Sequence, residues 1–323
     1  MQLPYKRVLQ LGLFAGCLFG FLAMPVHAQA GSSITVLPLG DSITYGETLD
    51  PASPGGGYRD PLYSLLLGEG VNVTYAGVNN GNPSAKLTLA GETANDGFGG
   101  YLINDIDENL SANNQPTDST TSNLGGYWLK NASGGLTTPA PNVILLMAGT
   151  NDILFSNPNL PVATVASNIL GAASGPSGPS GLLGLVADVH KDDPQATILV
   201  ASPPNPIISS NWTAIATQLN LDMAAAIPAD FAGENIDYVD MFDALNQYGD
   251  FKTPAGAGDG IHLSNLGYIA MAQKWNSAIL ADYDFNADPV DVPEPSTWAL
   301  LVGGAVVLVW WGRRARRLSH RRS

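Results

Sequence analysis

Five short runs of apolar, largely β-branched residues recur along the chain: Ile34-Thr35-Val36-Leu37-Pro38, Val71-Asn72-Val73-Thr74-Tyr75, Val143-Ile144-Leu145-Leu146-Met147, Thr197-Ile198-Leu199-Val200-Ala201 and Ile236-Asp237-Tyr238-Val239. Helical patterning falls between and after them, with Leu62, Leu65 and Leu66 inside Tyr58 to Gly68, a second stretch closing at Leu183 to His190, and a last one from Leu266 to Asp282. Near-continuous apolar runs suit strands buried on both faces, and strands that alternate with helices predict a parallel sheet. One doubly wound α/β domain is therefore expected over 31–284, with ligands bound outside the carboxyl ends of its strands.

Polar stretches interrupt the pattern. Ser111 to Thr138 is rich in Asn, Ser, Thr and Gly, and Ser174-Gly175-Pro176-Ser177-Gly178-Pro179-Ser180 is of low complexity, so both read as surface insertions. Tyr127 and Trp128 in the first suit either a sugar platform or packing against the domain. Asp282, Asp284, Asn286 and Asp288 alternate as in a calcium loop, but Ala287 holds the sixth position, where that loop needs Gly, and no Glu closes it.

Both ends carry signals of a different kind. Lys6 and Arg7 precede an apolar run from Val8 to Met24 and the small residues around Ala28, the pattern of a secretory signal peptide over 1–30. Cys17, the only cysteine, lies inside that run, so a processed chain would have no disulfide and no thiol ligand. After an acidic linker over 285–292, the segment 293–323 holds Pro293-Glu294-Pro295, an apolar run from Trp298 to Trp311, and Arg313, Arg314, Arg316, Arg317, Arg321 and Arg322. This segment resembles the PEP-CTERM sorting signal. Its apolar run is at the short edge of what spans a bilayer, and the arginines would keep the C-terminus cytoplasmic. The resemblance implies an exosortase-like processing protease as partner, transient anchorage in the inner membrane, and release to the periplasm, cell surface or matrix. A permanent anchor is the alternative.

Without these ends the chain keeps six basic and 27 acidic residues, a net charge of −21. Such a body is repelled by nucleic acid, which is therefore excluded as a partner, and favours neutral or sparsely charged substrates.

Four motifs stand in the order an esterase needs: Gly40-Asp41-Ser42-Ile43-Thr44, Gly97-Phe98-Gly99-Gly100-Tyr101, Gly149-Thr150-Asn151-Asp152 and Asp259-Gly260-Ile261-His262. A serine hydroxyl attacks only when a base removes its proton. Of the four histidines, His27 lies in the signal peptide, His320 in the basic tail, and His190 at a helix end where a cation is ordinary. His262 remains, and Asp259 three residues before it can fold back onto its Nδ1. The developing oxyanion needs donors, which Asn151 can supply from its amide, and Gly100 and Ser42 from their backbone N–H groups; Gly97 or Gly77 could replace Gly100. The chain has no Gly-x-Ser-x-Gly elbow, against an α/β-hydrolase fold.

On these residues the chain resembles the SGNH, or GDSL, hydrolase superfamily from Ile34 to about Ala281. The resemblance implies a three-layer α/β/α fold with a flavodoxin-like, five-stranded parallel sheet. It also implies Ser42, Asp259 and His262 as catalytic residues, Ser42, Gly100 and Asn151 as oxyanion hole, and no cofactor or metal. Gly56-Gly57-Tyr58-Arg59, Tyr75-Ala76-Gly77 and Gly97 to Ile103 are similar to the family-three carbohydrate esterases, with Asn95-Asp96 where that subgroup often has His-Glu. An exported serine esterase acting on acylated, above all acetylated, polysaccharide is the expectation. A lipase or aryl esterase on small esters, and a non-catalytic matrix protein that binds carbohydrate, are the alternatives.

Overall fold

The computed structural model describes residues 32–110, 126–171, 181–245 and 258–283. The signal peptide, the acidic linker, the sorting segment, the Ser174 to Ser180 run and residues 111–125 of the first insertion lie outside the described residues, as do three of the four calcium-like positions.

All five expected strands are present, and a two-residue strand joins them. They are β1 (Ser33–Gly40), β2 (Asn72–Tyr75), β3 (Asp96–Gly97), β4 (Val143–Met147), β5 (Thr197–Ala201) and β6 (Ile236–Val239). Every pairing is parallel, in the order β2-β1-β4-β5-β6, with β3 added against the end of β1 beyond the reach of β2. The expected five-stranded sheet thus gains a sixth, short member, which no apolar run announces because Asp96-Gly97 contributes only two backbone pairs.

The helices are α1 (Ser42–Tyr45), α2 (Arg59–Gly68), α3 (Ala85–Ala90), α4 (Ile103–Asn109), α5 (Thr150–Leu154), α6 (Val162–Leu170), α7 (Gly181–Asp192), α8 (Ser210–Asp230), α9 (Met241–Ala244) and α10 (Asn265–Asp282). Successive strand side chains point to opposite faces, and the core divides accordingly. Leu37, Leu39, Ile144, Leu146, Ile198 and Val200 face α4, α6, α7 and α8. Ile34, Val36, Val143, Leu145 and Leu199 face α1, α2 and α10 on the other side. The result is three layers, helices on both faces of one sheet. Among the described residues, no helix is long and apolar enough to cross a membrane.

Of the described part of the first insertion, Gly126, Trp128 and Leu129 pack inward, while residues 132–135 stay exposed. Trp128 is 1% exposed and stacks on Phe98 with ring centroids 4.4 Å apart, and Tyr101 leans on both rings. Trp128 is therefore a prop beneath the Gly97-to-Tyr101 loop, and its ring is closed to a sugar.

Arg59 is the largest charge inside the domain, with no exposed surface. Its guanidinium donates to the carbonyls of Thr93 (2.9 Å), Tyr45 (3.2 Å) and Gly81 (3.3 Å), tying the end of α1 to two loops. Arg59→Met keeps the bulk but strands those three carbonyls, at about 1 kcal/mol or more each. Urea unfolding of the two proteins should show the variant less stable by roughly 3 kcal/mol.

Candidate active site

Three strands end level with one another. Gly40 of β1 pairs with Gly97 of β3 and with Met147 of β4, and two, three and four residues beyond that line stand Ser42, Gly100 and Asn151. The parallel register alone thus delivers three distant motifs to one edge, the carboxyl edge where such sheets bind ligands. Small residues let them meet: a Cβ on Gly40 would lie 2.2 Å from the Met147 carbonyl oxygen, and one on Gly97 would lie 2.2 Å from the Tyr45 nitrogen. Any side chain at either position would push α1 off the sheet.

Ser42 opens α1, and Asp41 caps it by accepting the Ile43 N–H at 2.9 Å. Asp41 has no exposed surface. Burial pushes its carboxyl up to about 6, against the lowering pull of the Ile43 N–H, the Thr150 hydroxyl and His262. Ser42 itself is 5% exposed.

His262 reaches Ser42 from the other end of the domain. Gly260 takes a left-handed φ of +72°, which turns the chain so that Asp259 Oδ1 accepts the N–H groups of Ile261 (2.9 Å) and His262 (2.8 Å). The second carboxylate oxygen lies 2.5 Å from His262 Nδ1, and His262 Nε2 lies 2.9 Å from Ser42 Oγ. Burial works to raise the Asp259 carboxyl, but the bonds from the His262 ring and from the two backbone N–H groups outweigh it and hold the group below its ordinary value. An ionised partner at Nδ1 fixes the tautomer that leaves Nε2 free to accept a proton. Ser42, Asp259 and His262 are thus brought into one hydrogen-bonded line. His190, by contrast, pairs with Glu234 at 3.0 Å near the end of α7.

The serine and histidine segments are also stitched directly. Thr48 Oγ1 donates to the Leu263 carbonyl (2.8 Å), the Asn265 N–H donates to Asp50 (3.0 Å), and the Tyr268 hydroxyl donates to the Glu47 carbonyl (2.6 Å).

Asn151 and Gly100, expected as donors, lie just past the same strand ends as Ser42. Asn151 is 6% exposed and gives one amide hydrogen to the Tyr101 carbonyl at 2.8 Å. A carboxamide carries two N–H bonds, so the second is left for the site. That same bond docks the Gly100-Tyr101 turn onto α5. Gly100 is exposed, with a left-handed φ of +81° and open space where a side chain would stand. Gly97, by contrast, is buried and donates its N–H to the Asn95 side chain at 3.0 Å, and a Cβ on Gly77 would lie 2.3 Å from the Asn95 carbonyl carbon. The Gly97 N–H is thus already spent within the loop.

Several residues beyond the expected catalytic and oxyanion set also shape the site. Asp96 receives the Val78 N–H at 2.7 Å, and Asn95 bonds Asn79 and Gly97, so this buried pair is scaffold behind the glycine loop. Asp152, beside Asn151, is raised to about 6 mainly by burial, and holds the first N–H of α4. Glu47 lies at the mouth with its Oε2 3.7 Å from His262 Nε2. The acidic residue just past the serine turn was the visible signal for Glu47; nothing local marked the stitches, which pair residues more than 200 positions apart. Among the described residues, no group of three or more His, Cys, Asp or Glu could hold a metal ion.

A serine, histidine and aspartate in line at the carboxyl edge of a parallel α/β/α sheet define a hydrolase of the GDSL type. Residues 39–270 match the GDSL-like Lipase/Acylhydrolase family. The chain belongs to that family and is a carboxylic ester hydrolase. A curated relative, the multidomain esterase of Ruminococcus flavefaciens, is 30% identical over 164 residues, which is 46% of this chain and 19% of that protein. The chain thus spans about a fifth of that relative's length. Among solved structures, the family 3 carbohydrate esterase of Clostridium thermocellum is 23% identical with a TM-score of 0.49, over 77% of this chain and 96% of the other. A carbohydrate esterase family 3 structure from Talaromyces cellulolyticus is 15% identical with a TM-score of 0.47, over 77% and 97%.

Asp96 predicts a pH effect on stability. It has no exposed surface, and burial raises its carboxyl from 3.8 to about 7 against the Val78 and Asn79 N–H groups. Because the folded value is the higher one, the stability this group contributes is full below about pH 4 and is lost as pH rises through about 7. Asp96→Asn keeps an oxygen for the Val78 N–H and cannot ionise. Denaturant unfolding from about pH 4 to 8 should show the variant gaining on the wild type by up to roughly 4 kcal/mol.

Proposed function

We propose that the chain hydrolyses acyl esters of neutral polysaccharide, above all acetyl esters, through an acyl-Ser42 intermediate. The observation that carries this reading is the line Ser42 Oγ, His262 Nε2, His262 Nδ1, Asp259 Oδ2, with separations of 2.9 and 2.5 Å at its two hydrogen bonds. As Ser42 Oγ attacks the ester carbonyl, Nε2 takes the hydroxyl proton, and the N–H groups of Ser42, Gly100 and Asn151 receive the oxyanion. Collapse breaks the bond to the alcohol oxygen, which leaves with the proton from Nε2. Water then repeats the sequence on the acyl-enzyme and restores the serine.

Polysaccharide is favoured over lipid by the resemblance of Gly56 to Arg59, Tyr75 to Gly77 and Gly97 to Ile103 to family-three carbohydrate esterases, and by a body charge of −21, which disfavours anionic lipid surfaces. The curated relative, itself named an esterase, supports the reaction type. One observation favours a longer acyl group: a cavity of about 300 Å³ beside α5, lined by Leu102, Phe155, Leu160, Val165 and Ile169 along with polar groups. Rates on acetyl and octanoyl esters of one alcohol separate the two readings. Acetate release should dominate, and preference for octanoate would make the protein a lipase.

Ser42→Ala and His262→Ala should each lower kcat by several orders of magnitude in a folded protein, since the two act as one unit. Asn151→Ala should lower kcat by roughly 100- to 1000-fold with KM little changed, because its amide acts mainly in the transition state. Steady-state kinetics on an acetyl ester tests all three, and wild-type turnover by Ser42→Ala would overturn the assignment.

Export completes the proposal. Residues 1–30 would direct secretion, and 293–323 would hold the esterase on the outer face of the inner membrane until a processing protease cuts near Pro295. Mass spectrometry of the protein from its native host should find an N-terminus near Gln29 or Gly31 and no peptide beyond Trp298. An intact Arg321-Arg322-Ser323 end on membrane-bound protein would show a permanent anchor instead.

A further inference from the structure

Glu47 occupies a place in the site that the hydrolytic machinery does not use. Its backbone is pinned on both sides: the N–H donates to the Ser42 carbonyl (2.9 Å) and the carbonyl accepts the Tyr268 hydroxyl (2.6 Å). The side chain therefore leaves a fixed point of the backbone beside the serine, and it is 49% exposed. Its Oε2 lies 3.7 Å from His262 Nε2, and a methyl group built on Gly99 would stand 3.5 Å from the same oxygen. The carboxylate spans the mouth between the base and the glycine loop.

Its position relative to the ring decides what it can do. Support for an imidazolium comes from Asp259 on the Nδ1 side at 2.5 Å. Glu47 instead approaches Nε2, the nitrogen facing Ser42, at a distance too long for a hydrogen bond. A carboxylate bonded there would compete with Ser42 for the ring; one held just beyond bonding distance leaves Nε2 to its reacting partners. The atom that follows Ser42 there is known from the chemistry: the alcohol oxygen of the ester takes its proton from Nε2, so it sits at Nε2, beside Glu47. In a monoacylated vicinal diol, the neighbouring free hydroxyl stands about a hydrogen bond's length from that oxygen, within reach of Glu47 Oε2.

We infer that Glu47 is a specificity residue that accepts a hydrogen bond from a free hydroxyl vicinal to the scissile ester, selecting monoacylated vicinal diols, as on a sugar ring, over esters without that donor. This rests on the esterase reading of the same site. The hydroxyl keeps its proton throughout: Nε2 protonates only the leaving oxygen as the acyl–oxygen bond breaks. The bond to a carboxylate is charge-assisted, and stronger than one between neutral groups. The same carboxylate repels esters whose alcohol part is anionic.

Two neutral probes test this, trans-2-hydroxycyclohexyl acetate and trans-2-fluorocyclohexyl acetate, in which fluorine takes the place of the hydroxyl at nearly the same size and offers no donor. The full-length wild-type protein should favour the hydroxy ester in kcat/KM by roughly tenfold. Glu47→Ala should bring that ratio close to one, and Glu47→Gln, whose amide oxygen still accepts, should leave it between the two. A wild-type ratio near one, or a ratio unchanged in both variants, would overturn the inference. Equal losses on both esters would do so too, by showing that Glu47 acts through His262. If the wild type cleaves neither probe nor a simple aryl acetate, the esterase reading itself fails, an outcome distinct from cleavage without preference.

Discussion

Ser42 and His262 are 220 residues apart in sequence and must stay within hydrogen-bond range, a contact at 2.9 Å that leaves little room for drift. The rest of the site depends on meeting that constraint. One solution is global: Ser42 rides on the end of β1, an interior strand between β2 and β4, and His262 precedes α10, which packs beside α2 against the same face of the sheet. The other is local, the three bonds that join residues 47–50 to 263–268 without touching the reactive atoms. Misplacement of a reacting group by an ångström can cost two orders of magnitude in rate, so such bracing is part of the catalytic apparatus.

The same edge shows why the short motifs contain the residues they do. Gly40 and Gly97 are small because α1 sits on the ends of β1 and β3, and Gly260 is a glycine because the turn before His262 needs a left-handed residue. Asp41 serves as a cap, Asn151 spends one amide hydrogen on the neighbouring loop, and Asp259 spends one oxygen on backbone before it meets the histidine. Asn151 and Asp259 therefore each carry a bond that fixes their aim, the preorganisation that electrostatic stabilisation of a transition state requires.

Buried acids are unusually dense around this edge. Asp41, Asp96 and Asp152 are raised to about 6, 7 and 6, with burial the main cause in each case, while Asp259 is lowered. Burial is common to all four; the difference is that Asp259 receives three hydrogen bonds, one from an imidazole. A carboxylate held ionised at the histidine places negative charge where a developing imidazolium needs it.

Much of this was legible in the chain. The five apolar runs are the five main strands to within a residue or two, because strands buried on both faces need no partner to declare themselves. The three expected helices are present, and Ser42, Asp259 and His262, named from motif chemistry and elimination, lie in one line. Strand β3 and helix α8 were not legible. Two residues carry no period, and α8 spreads its apolar side chains so that Leu221 stands 60% exposed. Trp128, open to two readings as a residue, is settled by its stacking on Phe98. The exposure of Gly100 beside a buried Gly97, the stitches between the serine and histidine segments, and the station of Glu47 were decided by tertiary structure alone. Local sequence encodes periodicity and the chemical identity of a motif. Which N–H remains unspent, and which carboxylate faces a given ring nitrogen, depends on contacts between segments that meet only when the sheet has closed its register.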